Sequence, residues 1–347
     1  MREASGVNHS VCDLLGLMKI EFCSDSPDAL ISLIEAVKLR YWKPPDKLRK
    51  RGRENTFSEL SFLLLAVVSV VTKTFSDSAL YRLLKSDKQL RAACEFIRVP
   101  HRSSILRRLK QLVPSAEEQI SHFGARLRAE FQSGEQFSEV SAIDGRMYQS
   151  VGRLWHKKHR QQNLIPEGLR NVDTESSWSK SASRGWIQGY RLVLQTLVFP
   201  EPVPLFAVWR ENSRNEAEVM LPEIESERLQ ITEVMLGDTR FGDLQLPEKY
   251  AKKGGYLLTP AQLPKKRQSW KHDLYEYRQE TIELLFQRII QAFDLKMCQV
   301  KGKAKNGAFV LASVWTYQIC FLNNHQENKP LAFVKEQIDK ARWRIKL

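Results

Sequence analysis

What this sequence is short of narrows the field first. Its five cysteines (Cys12, Cys23, Cys94, Cys298, Cys320) are scattered and odd in number, and no Cys-x-x-Cys pair occurs. Such spacing supplies neither a disulfide framework nor a zinc site, and it suits a reducing cytosol. Long apolar runs are missing too. The most apolar stretch, 61–71, has 11 residues, whereas a bilayer-spanning helix needs about 20. It therefore reads as a buried helix of a soluble, cytoplasmic protein. The N-terminus, Met1-Arg2-Glu3-Ala4, lacks the basic-then-apolar order of a signal peptide. No internal repeat or low-complexity tract is visible.

Acidic residues are also in deficit. Lys+Arg minus Asp+Glu is 54 − 40, a net charge of +14 with a pI near 9.5. An excess this large favours a polyanionic partner, and nucleic acid is the commonest one. The 347 residues are enough for two or three domains, each with a core.

Two characters divide the chain. Up to about 132 the apolar residues recur at helical spacing. Leu30, Leu33, Ile34 and Val37 form one stripe. The segment 43–53 is a basic break with six Lys/Arg against one Asp. A strongly apolar helix follows over 57–71, with Thr56 and Glu59 spaced as a capping box. Further helices are expected over 77–84, 89–97 and 103–112, the last with Ser103 as N-cap. After 136 the expected order is β-β-β-α-β-β-α-α. Its strands are 137–143, 186–198, 204–209, 232–236 and 255–258; its helices are 216–229, 274–293 and 308–322. The polar stretch 145–184 shows little periodicity. On the helix 274–293, Ile282, Leu285, Phe286, Ile289, Ile290 and Phe293 share one stripe.

Three carboxylates sit against the grain of this pattern. Asp144 follows the apolar Val140-Ser141-Ala142-Ile143, Asp238 follows Val234-Met235-Leu236-Gly237, and Glu283 lies among Ile282, Leu284, Leu285 and Phe286. A carboxylate at the edge of a core is costly unless something neutralises it, and a metal ion is one way. Carboxylates at strand ends, joined by one from a helix, can hold two Mg²⁺ ions about 3.5–4 Å apart, clamping both oxygens of a phosphodiester displacement. Taken singly, an aspartate after a strand is more often a turn former or a helix cap.

The surrounding residues resemble a known family, the DDE transposases of bacterial insertion sequences. Ala142-Ile143-Asp144-Gly145 resembles the family's first-aspartate motif, and Leu236-Gly237-Asp238-Thr239-Arg240-Phe241 its second. The run 173–178 followed by 185–190 is similar to its Asp-rich loop and Gly-Tyr strand. Tyr277-Arg278 with Ile282-Glu283-x-x-Phe286 resembles the block that carries the third carboxylate. Two departures stand out from the Tyr-x2-Arg-x3-Glu-x6-Lys signature of one large branch. Tyr275 and Arg278 fit, but the Glu comes one residue late and Ile290 replaces the Lys. The interval 283 − 238 = 45 also leaves no room for a large insertion. Both point to a compact branch, and both leave Glu280 and Glu276 as rivals of Glu283 on one helix face.

The resemblance implies a ribonuclease-H-like α/β catalytic domain (134–326), preceded by an all-α DNA-binding and dimerisation region (1–133) and followed by a basic tail (327–347). It implies Mg²⁺-dependent cleavage and strand transfer, with two ions (Mn²⁺ able to substitute) held by Asp144, Asp238 and Glu283. Arg240 and Arg278 would brace the carboxylates or a phosphate. The partners implied are double-stranded DNA, both element ends and target, and further copies of the chain; no membrane is involved. The alternatives are a structure-selective nuclease of the same chemistry and a transposase-derived DNA-binding protein that no longer cuts.

Basic residues suggest where DNA would lie. The segment 146–160 holds Arg146, Arg153, Lys157, Lys158 and Arg160, with two His, Trp155 and no acid, and it would meet phosphates near the cut. A solvated loop is the plainer reading. The helix 103–112, with Arg102, Arg107 and Arg108 about it, is a candidate recognition helix or an ordinary amphipathic helix. The tail 335–346, with five basic residues and two acids, is a DNA-binding arm or a charged terminal helix.

Overall fold

A computed structural model of the protein describes residues 28–44, 56–132, 139–181, 184–243, 245–265 and 269–343. The basic stretch 43–53 lies outside them from Pro45 on, as do Cys12, Cys23 and the last four residues.

Six helices come first: α1 (Ala29–Leu39), α2 (Glu59–Thr72), α3 (Asp77–Ser86), α4 (Lys88–Ala93), α5 (Arg102–Leu109) and α6 (Val113–Gln132). The apolar run lies in α2, where every residue from Ser61 to Val71 is buried. Fully burying one such Leu, Val or Phe contributes about 1.5–3 kcal/mol, so α2 is the pillar of this region. Two caps differ from expectation. Ser58 caps α2, accepting from the Ser61 N–H at 3.0 Å, because the helix starts two residues later than Thr56 would require. His101, not Ser103, caps α5, since the helix already includes Arg102.

The sheet begins at β1 (Val140–Gln149), followed by α7 (Lys157–Gln161), β2 (Ser177–Ser181), β3 (Gly185–Leu197) and β4 (Val203–Glu211). Then come α8 (Glu216–Glu225), β5 (Val234–Leu236), α9 (Leu246–Lys252), β6 (Tyr256–Leu258), α10 (Trp270–Phe293), α11 (Lys303–Gln326) and α12 (Val334–Trp343). The expected strand and helix order is present, with β2, α7 and α9 added, so the polar stretch 145–184 is less irregular than its lack of periodicity suggested. β3 is central. It pairs antiparallel with β1 on one edge and with β2 and β4 on the other, while β5 and then β6 extend the sheet parallel to β1.

Alternate residues of the strands enter two apolar clusters. Ala142, Leu192, Leu194, Leu205 and Ala207 face the cluster built with α2, α6, α10 and α11. Ile143, Val193, Phe206 and Val208 face a smaller one under α8 and α9. With both faces covered, such strands read as nearly continuous apolar runs. The larger cluster runs from Ala29 to Ala341, so the N-terminal helices share their core with one face of the sheet. Gly124 permits the contact of α6 with β4, because a Cβ there would collide with the Leu205 carbonyl. The tail folds back as α12, burying Val334, Ile338 and Ala341, and Arg342 donates to the carbonyls of Val71 and Ala292. Among the described residues no single helix is long and apolar enough to cross a membrane.

Candidate functional site

Register brings the two aspartates together. β1 and β5 pair in parallel, with Ala142 opposite Leu236. Asp144 and Asp238 each lie two residues beyond that pair, so they leave adjacent strands at the same level, where the parallel pairing ends. Asp144 does not end its strand as expected: β1 runs on to Gln149 because β3 continues to pair with it. Only its β5 edge is released after Ala142. Asp238 does follow β5, and its Oδ1 accepts from the Arg240 N–H at 2.9 Å, turning the chain into the short 3₁₀ segment Thr239–Gly242. The Tyr275 hydroxyl of α10 donates to the Gly237 carbonyl at 3.0 Å, tying that helix to the turn.

Three arginines stand among these acids. Arg278 of α10 meets Asp144 Oδ2 at 3.2 Å, and the Gly145 N–H donates to Oδ1 at 2.7 Å. Burial nonetheless pushes the Asp144 carboxyl up to about 6, with Asp238 and Glu216 adding repulsion against the pull of Arg278. Glu216, in the first turn of α8, bonds Arg191 at 2.7 Å and Arg240 at 3.3 Å. Burial also raises its carboxyl above the ordinary range. The Nε atoms of Arg191 and Arg278 are buried without a partner among the described residues. Sequence reasoning had placed Arg240 and Arg278 near the acids but missed Glu216 and Arg191. One signal was available: Arg191 is the one charged residue of β3.

The α10 carboxylates are placed differently. The apolar stripe of α10 is buried as expected, and this turns Glu283 outward. Glu276, Glu280 and Glu283 are all exposed and line one groove of about 690 Å³ with Tyr275, Arg278 and Gln287. Among the described residues no set of three His, Cys, Asp or Glu is poised to hold a metal ion. Asp144 and Asp238 suit a divalent cation as a pair. They are adjacent, and besides burial, which raises the Asp144 carboxyl, Asp238 adds a repulsion that a shared cation would relieve. The third donor stays open between Glu283 and Glu280.

The basic candidates form two surfaces. Arg146 lies on β1, Arg153 and Lys158 are exposed, and the Lys157 ammonium stands 4.4 Å from the Trp186 ring centre. Arg160 donates to the Ser176 carbonyl at 2.7 Å. This segment is anchored by buried Trp155, whose indole donates to the Leu164 carbonyl and whose own carbonyl accepts from Trp178. On α5, Ile105 and Leu109 are buried, Arg107 and Arg102 are exposed, and Arg102 meets Ser78 Oγ at 3.1 Å. Arg108 lies over the Phe62 ring at 5.2 Å.

No protein-family model and no curated protein sequence matches this chain. Solved structures do. A piggyBac transposase synaptic complex with hairpin DNA is similar at 10% identity over 93% of this chain and 81% of that one, with a TM-score of 0.40. A Mos1 transposase paired-end complex with the left transposon end is similar at 13% identity over 79% and 82%, with a TM-score of 0.22. At TM-scores this low the likeness carries no functional weight; the residues of the site do.

Proposed function

We propose that this chain is a DNA transposase of the DDE type, cutting and joining DNA ends at a ribonuclease-H-like sheet edge built around Asp144 and Asp238. The observation that carries the reading is the parallel register of β1 and β5, which sets two aspartates side by side with three arginines around them. Chemistry on a phosphodiester needs carboxylates to hold cations and donors to meet the phosphate at one place. Asp144 and Asp238 are the residues that would hold Mg²⁺, with Glu283 or Glu280 of α10 as the third donor. When bound, the ions would activate a water or a DNA 3′-hydroxyl and stabilise the leaving oxygen. The protein's own part is to orient the two carboxylates through the Gly145 and Arg240 amides and to keep Arg278 and Arg240 beside the phosphate. The chain supplies no nucleophile.

In this reading α5 and its neighbours contact the element end, and the segment 146–160 contacts phosphates near the cut. Subunits pair on paired DNA ends. The test is incubation of the full chain with Mg²⁺ and duplex DNA taken from either flank of its own gene. Cuts at discrete ends, followed by joining to a second duplex, are expected. Cleavage without any end preference would favour a nuclease, and DNA binding without cleavage would leave only the non-cutting alternative.

A further inference from the structure

Beside the paired aspartates, one buried glutamate organises two of the three arginines. Glu216 is 3% exposed, and Arg191, its stronger partner, is 1% exposed. Arg191 is also held by the Arg214 carbonyl at 3.3 Å and by Ser179 Oγ at 3.2 Å, so it has no freedom to move. Arg240 differs. Its side chain meets Glu216 through Nη1 alone and remains 48% exposed, two residues from Asp238. Taking a carboxylate and a guanidinium out of water is costly, and replacing such groups with apolar residues is often neutral or stabilising. Stability is therefore a poor reason for this trio. Gly145 records a positional demand: a Cβ there would stand 2.8 Å from Glu216 Oε1 and 3.1 Å from Arg191 Cδ. The residue that follows Asp144 is the one that lets the Glu216–Arg191 pair rest against β1.

We infer that Glu216 is a positioning residue: it grips one nitrogen of Arg240 and leaves the rest of that guanidinium turned to solvent at the turn that carries Asp238, as the group that receives a phosphodiester oxygen of the DNA being cut. This rests on the phosphoryl-transfer reading above. Arg191 bonds one oxygen of Glu216 and leaves the other for Arg240. A guanidinium suits the role because its planar fork can bond a carboxylate along one edge and a phosphate along another, which a lysine ammonium cannot do with fixed geometry.

The test measures affinity of the full chain for a fluorescently labelled duplex of arbitrary sequence, in EDTA, across a range of salt concentrations. Losing one phosphate contact lowers the slope of log affinity against log salt by about 0.9. Arg240→Gln is expected to show that fall, and Arg240→Lys, which keeps the charge but not the fork, to show most of it. Glu216→Gln, which can still accept from Arg191 through its amide oxygen, is expected to match Arg240→Gln. A Glu216→Gln protein with a lower melting temperature but the wild-type slope would give Glu216 a structural role only, and so overturn the inference. An unchanged slope in Arg240→Gln overturns it as well, and that variant leaves the buried Glu216–Arg191 pair intact if Glu216→Gln fails to fold. Wild-type protein that binds no duplex at all would overturn the underlying reading along with it.

Discussion

Two charge clusters, each built from carboxylates and arginines, lie at opposite ends of α8, with Glu223 in one and Glu216 in the other. In one, Glu117 of α6 and Glu223 of α8 face Arg210 of β4 and Arg228. Arg210 meets Glu223 at 2.7 Å, Arg228 meets Glu117 at 3.3 Å and also bonds Glu223, and the Trp209 N–H donates to Glu117 at 2.9 Å. Two cations answer two anions, and every carboxylate oxygen is engaged. This cluster is closed; it ties three elements together and offers a ligand nothing. In the other, Asp144, Asp238 and Glu216 face Arg191, Arg240 and Arg278, again with equal numbers. Yet Arg240 keeps donors in solvent and Asp144 stays hard to ionise. Charge count alone does not separate a strut from a site. Completeness of bonding does.

The sharpest way to break the comparison is to remove a carboxylate from each cluster. Asp144→Asn or Asp238→Asn is expected to drop Mg²⁺-dependent DNA cleavage to background while duplex affinity, measured by fluorescence anisotropy, stays near wild type, since affinity comes mainly from Lys and Arg. Cleavage at the wild-type rate by either variant would sink the site. On α10, Glu283→Gln is expected to be inactive in the same assay and Glu280→Gln to keep most activity; the reverse pattern would hand the third position to Glu280. In the closed cluster, Glu223→Ala leaves Arg210 and Arg228 to share Glu117 alone. It should cost about 1–3 kcal/mol of stability, read by urea denaturation, with residual activity tracking only the folded fraction.

The smallest effect concerns pH. The Asp144 carboxyl is pushed up from 3.8 to about 6, so the fold favours its protonated form. That contribution is fully present below the unfolded value and is lost as pH rises through about 6. Without divalent metal, thermal melts should therefore show stability falling over this window, and Asp144→Asn should flatten the fall. An Asp144→Asn profile parallel to that of wild type would contradict the electrostatic account of Asp144.

Much of this was legible in one dimension. The alternation around Ile143 and Met235, the apolar run of α2 and the stripe of α10 are local patterns, and local patterns survive projection onto a sequence because helix and strand periods are fixed by the backbone. The positions of Asp144 and Asp238 relative to their strands are of that kind, although the extent of β1 past Asp144 was not. Its continuation depends on pairing with Gly189 to Leu194 on β3, a partner that no periodicity names.

By itself, then, the order of residues determined which segments carry acids next to apolar strands and which carry basic charge, because those properties belong to single positions and their near neighbours. Only the tertiary structure decided that Glu216 and Arg191, 25 residues apart, close on each other against Gly145, and that Glu283 points outward while Arg278 reaches Asp144. Those facts depend on register between strands and on the rotation of α10 about its buried stripe. Each brings together residues far apart along the chain, and a shift of one residue in either would have chosen different partners.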